Sequence, residues 1–228
     1  MPAMKRNVHR VKDRGLTRRR VTRRMRGAPL RGTSVFFALE DAKILKSEVS
    51  MPAYLLLAVA ILSRFLPHAG LWNFTAVGGA LLYFGARRSW REMLAPLTAL
   101  IATDYLLTVY IYHYSFTWQS YVPTWAWYAM AMVLGQILLR ARTTFVRVAA
   151  GALLGPTSFF LVSNYAVWAS GWLYPRTLGG LSACFAAGVP FYRNDLLSTA
   201  IVAGLAFGVP VLVRRMSAAH TQVALADK

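Results

Sequence analysis

The chain has 228 residues, 57% of them hydrophobic and only 15% charged, yet its formal net charge is +18. Because a soluble domain of this size carries about a quarter charged residues, this composition excludes a large soluble domain and indicates an integral membrane protein. The single cysteine, Cys184, excludes an intrachain disulfide, and the sequence contains no zinc-type Cys/His spacing, Gly-rich phosphate loop or nucleophile elbow. We therefore expect no catalytic residues, metal or cofactor, and we favour transport or binding over enzymatic activity.

Residues 1–50 form a basic leader that holds 14 of the 26 Lys and Arg residues. Its polar stretch at 5–31 cannot bury an apolar core, so we predict a disordered arm. A signal peptide is excluded because no long apolar run follows the charges. Three interpretations stay open: an arm that binds anionic lipid, a solvated tail, or sequence upstream of a true start at Met51. Nucleic acid is a disfavoured partner because no interleaved aromatic residues are present to stack on bases.

Six apolar stretches follow, and each is predicted to form a transmembrane helix, which needs about 20 apolar residues. They lie at about residues 51–66, 72–86, 92–113, 123–140, 145–170 and 194–213. The predicted fold class is therefore an all-α membrane helix bundle over 51–215, with a short cytoplasmic tail at 216–228. Residues 178–192 are apolar but short, and we predict a re-entrant or surface helix there instead of a seventh span.

The arginines orient these spans. Alternate connections carry eight of them, whereas the opposite connections carry only Arg64, Arg176 and Arg193. Because basic residues accumulate in cytoplasmic loops, the eight and both chain termini are predicted to be cytoplasmic. The eight are Arg87, Arg88, Arg91, Arg140, Arg142, Arg147, Arg214 and Arg215.

Small residues at four-residue spacing indicate close helix packing, either within the bundle or against a partner subunit. The three such pairs are Gly151 with Gly155, Gly204 with Gly208, and Ala76 with Ala80.

Polar residues gather near the outer ends of five predicted helices, whereas the inner halves are nearly all apolar. Asp104 lies about 13 residues into the third helix, or about 20 Å at 1.5 Å per residue. Charged groups inside a bilayer usually face a cavity or a partner, so we predict a polar pocket on the extracytoplasmic side. Its candidate substrate-binding residues are Arg64, Asn73, Asp104, Asn164, Trp168, Asn194 and Asp195.

Structural roles compete with this interpretation. Arg64 can extend to the membrane interface instead of into a pocket. Asp104 is too deep for a capping role, so we expect it to have a cationic or hydrogen-bonding partner, and Arg64 and Arg193 are the basic candidates. Helix N-capping would account for the polar residues that open predicted helices, which are Asn73, Asn194 and Asp195.

Four segments, at 64–85, 96–107, 158–168 and 174–197, resemble an uncharacterised family of bacterial inner-membrane proteins. The resemblance covers nearly all of 51–228 and none of 1–50. In size and six-helix layout that family is similar to the S-components, the substrate-binding subunits of energy-coupling factor vitamin transporters. The resemblance implies a subunit that binds a vitamin or cofactor precursor outside the cell. It also implies a transmembrane coupling protein and ATPase subunits as partners.

We therefore expect a bacterial inner-membrane protein that binds a small-molecule solute for transport. One alternative is a membrane assembly or structural protein whose basic arm recruits a partner. Another is a proton-coupled transporter that uses Asp104 as a relay. A membrane enzyme with Asp104 and Asp195 as paired carboxylates is a weaker alternative, because no second acid lies nearby in the sequence to tune either one.

Overall fold

The computed structural model describes residues 51–66 and 73–226, with side chains as far as residue 219. These residues belong to one compact unit, Ala42–Lys228. The predictions for the basic leader at 1–50 lie outside the described residues.

The described chain is all-α, as the sequence predicted, and no strand occurs within it. A 3-10 turn at Trp90–Met93 leads into α3, and a π-helical turn at Leu107–Ile111 extends it. The helices are α1 (Met51–Ser63), α2 (Val77–Arg87), α3 (Leu94–Leu106), α4 (Trp118–Leu139), α5 (Phe145–Ser170) and α6 (Leu178–Ala226).

Four helical segments are long and apolar enough to cross a membrane: Trp90–Ile111, α4, α5 and Leu178–Ala219. The other two helices are shorter. α1 has fewer than 18 residues. α2 has 11 residues, about 17 Å at 1.5 Å per residue, against a hydrocarbon core about 30 Å thick. The protein is therefore a membrane helix bundle in which α1 and α2 are not full-length spans.

The short helix α2 lies at the centre of the bundle. Every residue from Val77 to Ala86 is buried, and α2 packs chiefly against α4 and α6. Tyr54 of α1 makes an edge contact with Phe84, with ring centroids 5.3 Å apart. The core of the protein is built around α2.

The glycines that allow this packing are not those that the spacing predicted. A Cβ on Gly85 would lie 2.0 Å from the Met132 carbonyl oxygen, and one on Gly135 would lie 2.1 Å from that of Leu82. The α2 and α4 backbones are therefore in direct contact.

By contrast, Gly204 and Gly208 are exposed, and a Cβ on either would meet nothing within 4 Å, so these two glycines do not pack within the bundle. Gly151 and Gly155 are buried, as internal packing requires, and the Gly155 carbonyl accepts from Trp127 Nε1.

The segment 178–192 is not a separate re-entrant or surface helix. It forms the first part of α6, which is one continuous helix of 49 residues with Pro190 and Pro210 inside it. The Thr177 hydroxyl accepts a hydrogen bond from the Gly180 amide at 3.1 Å and caps the N-terminus. Proline is tolerated inside such helices because neighbouring groups satisfy the freed carbonyls, so it does not end this one.

Arginines from alternate connections meet at one end of the bundle, which we call the arginine-rich end. Arg88 forms an ion pair with Glu92. Arg140 Nη1 donates to the Arg88 carbonyl at 3.5 Å, and Arg147 Nη1 donates to the Leu138 carbonyl at 3.0 Å. The predicted shared side of these connections is confirmed, while its assignment to the cytoplasm stays a prediction.

Candidate ligand-binding site

Asp104 of α3 is a buried acid whose carboxylate has three donors from two other segments of the chain. Only 2% of the residue is exposed. Its Oδ1 forms an ion pair with Arg64 Nη2 and accepts from the Tyr128 hydroxyl at 3.3 Å. Its Oδ2 accepts from Trp125 Nε1 at 2.9 Å. The predicted partner is therefore present, and it is Arg64.

The end of α3 is fixed at this point by a second set of bonds. The Thr108 hydroxyl donates to the Asp104 carbonyl at 2.7 Å and is hydrogen-bonded to the Tyr121 hydroxyl of α4. Thr108 lies in the π-helical turn Leu107–Ile111. Such turns are rare and occur frequently at functional sites. The backbone that carries Asp104 is thus held to α4 independently of the carboxylate.

The partners from α4 share one face of that helix. Tyr121, Trp125 and Tyr128 follow one another at four- and three-residue steps, which places them side by side. The Phe116 ring stacks on Tyr121 with centroids 5.1 Å apart, and Tyr121 stacks near Trp125 at 6.0 Å. This aromatic stack fixes the indole and phenol groups that point at Asp104.

A cavity of about 250 Å³ lies beside this cluster. It contains four of the seven residues predicted from the sequence: Arg64, Asn73, Asp104 and Asp195. The other lining residues are hydroxyl-bearing, aromatic or aliphatic, and they are Thr75, Val77, Tyr121, Thr124, Trp127, Tyr128 and Phe159. A polar cavity therefore lies at the end of the bundle opposite the arginine-rich end, while its predicted role as an extracytoplasmic binding pocket stays a prediction.

Two lining groups keep unused bonding capacity among the described residues. Arg64 Nη1 is buried and has no hydrogen-bond partner there. Asp195 is 5% exposed, and its carboxylate accepts only a 3.4 Å hydrogen bond from the Thr199 hydroxyl. Buried polar groups usually have partners, so a donor and an acceptor left open on one cavity indicate a place for a ligand.

The sequence profile of a family of unknown function, DUF6580, matches residues 43–221. The chain belongs to this family. The match begins ahead of Met51 and includes residues 43–50, which the resemblance described above left out. No curated protein and no solved structure matches the chain.

Asn73 of this DUF6580 protein is not the N-cap that the sequence offered as an alternative. Helix α2 begins at Val77, and the Ala76 amide donates to the Ser63 hydroxyl of the preceding segment at 3.1 Å. Asn73 instead adopts a left-handed conformation with φ 62°, which asparagine tolerates better than most residues. It is exposed and lies at the rim of the cavity.

Asn194 and Asp195 are not N-caps either, because both are buried inside α6. Thr177 takes the capping role that the sequence had assigned to them. Asp195 lines the cavity, whereas Asn194 does not.

Asn164 lies beside the main cavity and not in it. It lines a smaller space of about 30 Å³, which shares Asn73, Phe159 and Asp195 with the larger one. Its Nδ2 donates to the Phe160 carbonyl at 2.8 Å. The buried Cys184 thiol donates to the Asn164 carbonyl at 3.3 Å. Asn164 therefore joins α5 to α6 next to Asp195, and its predicted joint action with Asp104 has no direct contact to support it.

Trp168 is used to fix a loop. Its Nε1 is shared between the carbonyls of Pro175 at 3.1 Å and Thr177 at 3.2 Å. Both bonds tie the C-terminal turn of α5 to the start of α6. Trp168 does not line either cavity.

Trp125 and Tyr128 are site residues that sequence reasoning missed in this DUF6580 chain. Their four- and three-residue spacing from Tyr121 carried the signal, because it places the three side chains on one helix face. Within the described ranges, no group of three or more His, Cys, Asp or Glu residues is placed to hold a metal ion.

Proposed function

We propose that this DUF6580 protein is a membrane-embedded solute-binding subunit of a transport system, with its ligand in the 250 Å³ cavity. One observation carries the proposal. The buried guanidinium of Arg64 has one N–H group bound to Asp104 and another, on Nη1, that has no partner among the described residues. An unmet buried donor costs about 1–3 kcal/mol or more, which a bound acceptor would offset.

In this proposal Asp104 acts through Arg64 instead of through direct contact with the ligand. A carboxylate offers about four acceptor positions, and three donors already occupy this one. A carboxylate that is held by three donors, one of them cationic, is a poor proton relay and a poor general base. The cavity therefore supports solute binding better than an Asp104-driven proton transporter or an enzyme with paired carboxylates.

The partners and the location belong to the same proposal. The six-helix layout and the polar cavity resemble the S-component design, in which a coupling protein and ATPases supply the energy. If the arginine-rich end faces the cytoplasm, as the charge rule predicts, the cavity opens toward the outside of a bacterial inner membrane. That placement suits uptake of a vitamin or cofactor precursor.

The test is native mass spectrometry of the detergent-purified full chain, read for a co-purifying small molecule. Arg64→Lys keeps the charge beside Asp104 but removes the planar fork that presents Nη1. Since a hydrogen bond to a charged group contributes about 1.5–3 kcal/mol, we expect retention to fall by about 10- to 100-fold.

Arg88→Lys is the matched control, because Arg88 is also partly buried, is also paired with an acid and lies at the opposite end. It should retain the ligand as the wild type does. Equal retention by all three proteins would contradict the assignment of this cavity. A wild-type protein that carries no small molecule and binds none from a metabolite library would contradict solute binding altogether.

A further inference from the structure

The charges that line the cavity do not balance. Arg64 and Asp104 neutralise each other in their ion pair. Asp195 adds a second carboxylate, and among the described residues Arg64 is the only cationic side chain in the cavity lining. When both acids are ionised, the lining therefore carries one uncompensated negative charge. A buried charge without a counter-charge is costly, so a cation is the complementary occupant.

The position of Asp195 in α6 explains why its carboxylate lacks a counter-charge. It lies well inside a helix, so no exposed helix end solvates it, and it is 5% exposed. Its one hydrogen bond comes from Thr199, one turn further along the same helix. The Gly78 position of α2 lies against the Thr199 hydroxyl, where a Cβ would approach within 2.2 Å. The carboxylate thus faces the cavity at a point where the neighbouring helix supplies no basic group.

The aromatic residues in the cavity wall also favour a bound cation. Four aromatic residues line the cavity, namely Tyr121, Trp127, Tyr128 and Phe159. The Trp127 and Phe159 rings are packed with centroids 4.7 Å apart, and the indole N–H is already bound to the Gly155 carbonyl at 2.9 Å. The indole N–H of Trp127 is therefore not available to donate to a ligand. The faces of aromatic rings attract cations.

The ligand must also provide a hydrogen-bond acceptor for Arg64 Nη1, since a guanidinium group has donors only. A ligand carboxylate would satisfy it but would add a further negative charge to the lining. A neutral acceptor such as a hydroxyl or carbonyl oxygen satisfies it without that cost. On this basis, and resting on the proposed function, we propose that the cavity binds a small organic monocation. This is a protonated amine that pairs with Asp195 and carries a neutral acceptor for Arg64.

The size of the space limits the ligand to a small molecule. A volume of about 250 Å³ is roughly eight times the ~30 Å³ that one liquid water occupies. Single-ring and fused-ring aromatic amines are therefore suitable probes.

The experiment compares three matched series of probes on the full chain in detergent at neutral pH. They are 4-hydroxybenzylamine, 4-hydroxybenzyl alcohol and 4-hydroxybenzoate; tyramine, tyrosol and 4-hydroxyphenylacetate; and serotonin, 5-hydroxytryptophol and 5-hydroxyindole-3-acetate. In every probe the ring hydroxyl provides the neutral acceptor for Arg64. Within each series the ring is constant and only the charge changes. Affinity is measured from the dose-dependent rise of the unfolding temperature. We expect the amine to bind at least about tenfold more tightly than the alcohol and carboxylate in at least one series.

The variant Asp195→Asn should abolish the preference for the amine and leave the affinity for the alcohol nearly unchanged. Glu92→Gln makes the same chemical change in an acid at the arginine-rich end and should preserve the preference. Even if Asp195→Asn fails to fold, the three series of probes measured on the wild-type protein test the preference for the amine.

The outcomes separate this inference from the function on which it rests. If the alcohols or carboxylates bind best, or if Asp195→Asn keeps the amine preference, the cavity binds solutes but the monocation assignment is overturned. If a co-purified molecule lacks a basic nitrogen, the same conclusion holds. If no probe binds and no molecule co-purifies, both proposals fall.

Discussion

At the residue scale, the main result is that two acids have different roles, although the sequence analysis had treated them alike. Asp104 is fully paired by Arg64, Trp125 and Tyr128. Asp195 has only a hydroxyl from its own helix. The first therefore maintains the shape of the site, and the second is available to a ligand.

Replacing Asp104 by asparagine should destabilise the protein more than a surface change would. The amide can accept from Arg64 but cannot provide both oxygens, so it leaves Trp125 Nε1 unmatched and the buried guanidinium without a counter-charge. Breaking a buried pair in this way costs about 3–5 kcal/mol. In detergent, the unfolding temperature of Asp104→Asn should lie well below that of the wild type. The unfolding temperature of Glu92→Gln should be lowered less, because Glu92 is more exposed. An equal effect of the two substitutions would show that the Arg64 pair has no special structural role.

Local pattern was enough to locate the polar site but not to assign its residues. Sequence depth placed Arg64, Asn73, Asp104 and Asp195 at one level, and they line one cavity. Capping was misassigned because the helix ends were misplaced: α2 begins after Ala76 with no side-chain cap, and α6 is capped by Thr177. The role of Trp125 depends on α3 and α4 meeting, a contact between distant parts of the chain.

At the element scale, the bundle is organised by backbone contact between α2 and its neighbours. Four-residue spacing identified the buried pair Gly151 and Gly155 but missed Gly85 and Gly135, because the spacing motif records a helix face and not which helix lies against it. The ends of α2 and the continuity of α6 were also missed, since apolar length alone does not reveal whether a proline ends a helix. In contrast, α5 runs over the predicted 145–170, because arginines and a glycine mark its two ends.

Substitution of Gly85 or Gly135 by alanine tests this packing. The added methyl group would meet a backbone carbonyl at about 2.0–2.1 Å, and backbone cannot move aside as a flexible side chain can. We expect a loss of about 3 kcal/mol or more of stability, at or above the upper end for overpacked cores.

Gly204→Ala and Gly208→Ala are the matched controls, because both glycines are exposed and a Cβ there meets nothing within 4 Å. Alanine is the better helix former by about 1 kcal/mol, so these variants should be neutral or slightly stabilised in thermal unfolding. A loss of stability at the two exposed positions that matches the loss at Gly85 would refute the assignment of the α2–α4 contact.

At the scale of the whole molecule, the bundle has two chemically different ends. Arginines from four helices meet at one end, and the polar cavity lies toward the other. This polarity is the part of the architecture that the sequence predicted best, because charge distribution between loops is a global property that does not depend on exact helix boundaries.

The orientation is tested with reporter fusions along the chain. Fusions after Arg88, Arg142 and Arg215 should report a cytoplasmic location, and a fusion after Trp118 should report an external one. Since α6 is a single helix, a fusion after Gly180 should lie on the opposite side from the fusion after Arg215. The same side for both would mean that α6 does not cross the membrane.

The burial of α2 has a consequence for how the protein responds to its lipids. A helix in contact with hydrocarbon must match the thickness of the bilayer, and it tilts or distorts when that thickness changes. Helix α2 is enclosed by protein along ten consecutive residues, so its length is set by its neighbours and not by the surrounding acyl chains. Its first residue, Val77, forms part of the cavity wall. The part of the cavity wall that Val77 provides should therefore change little when the thickness of the membrane changes.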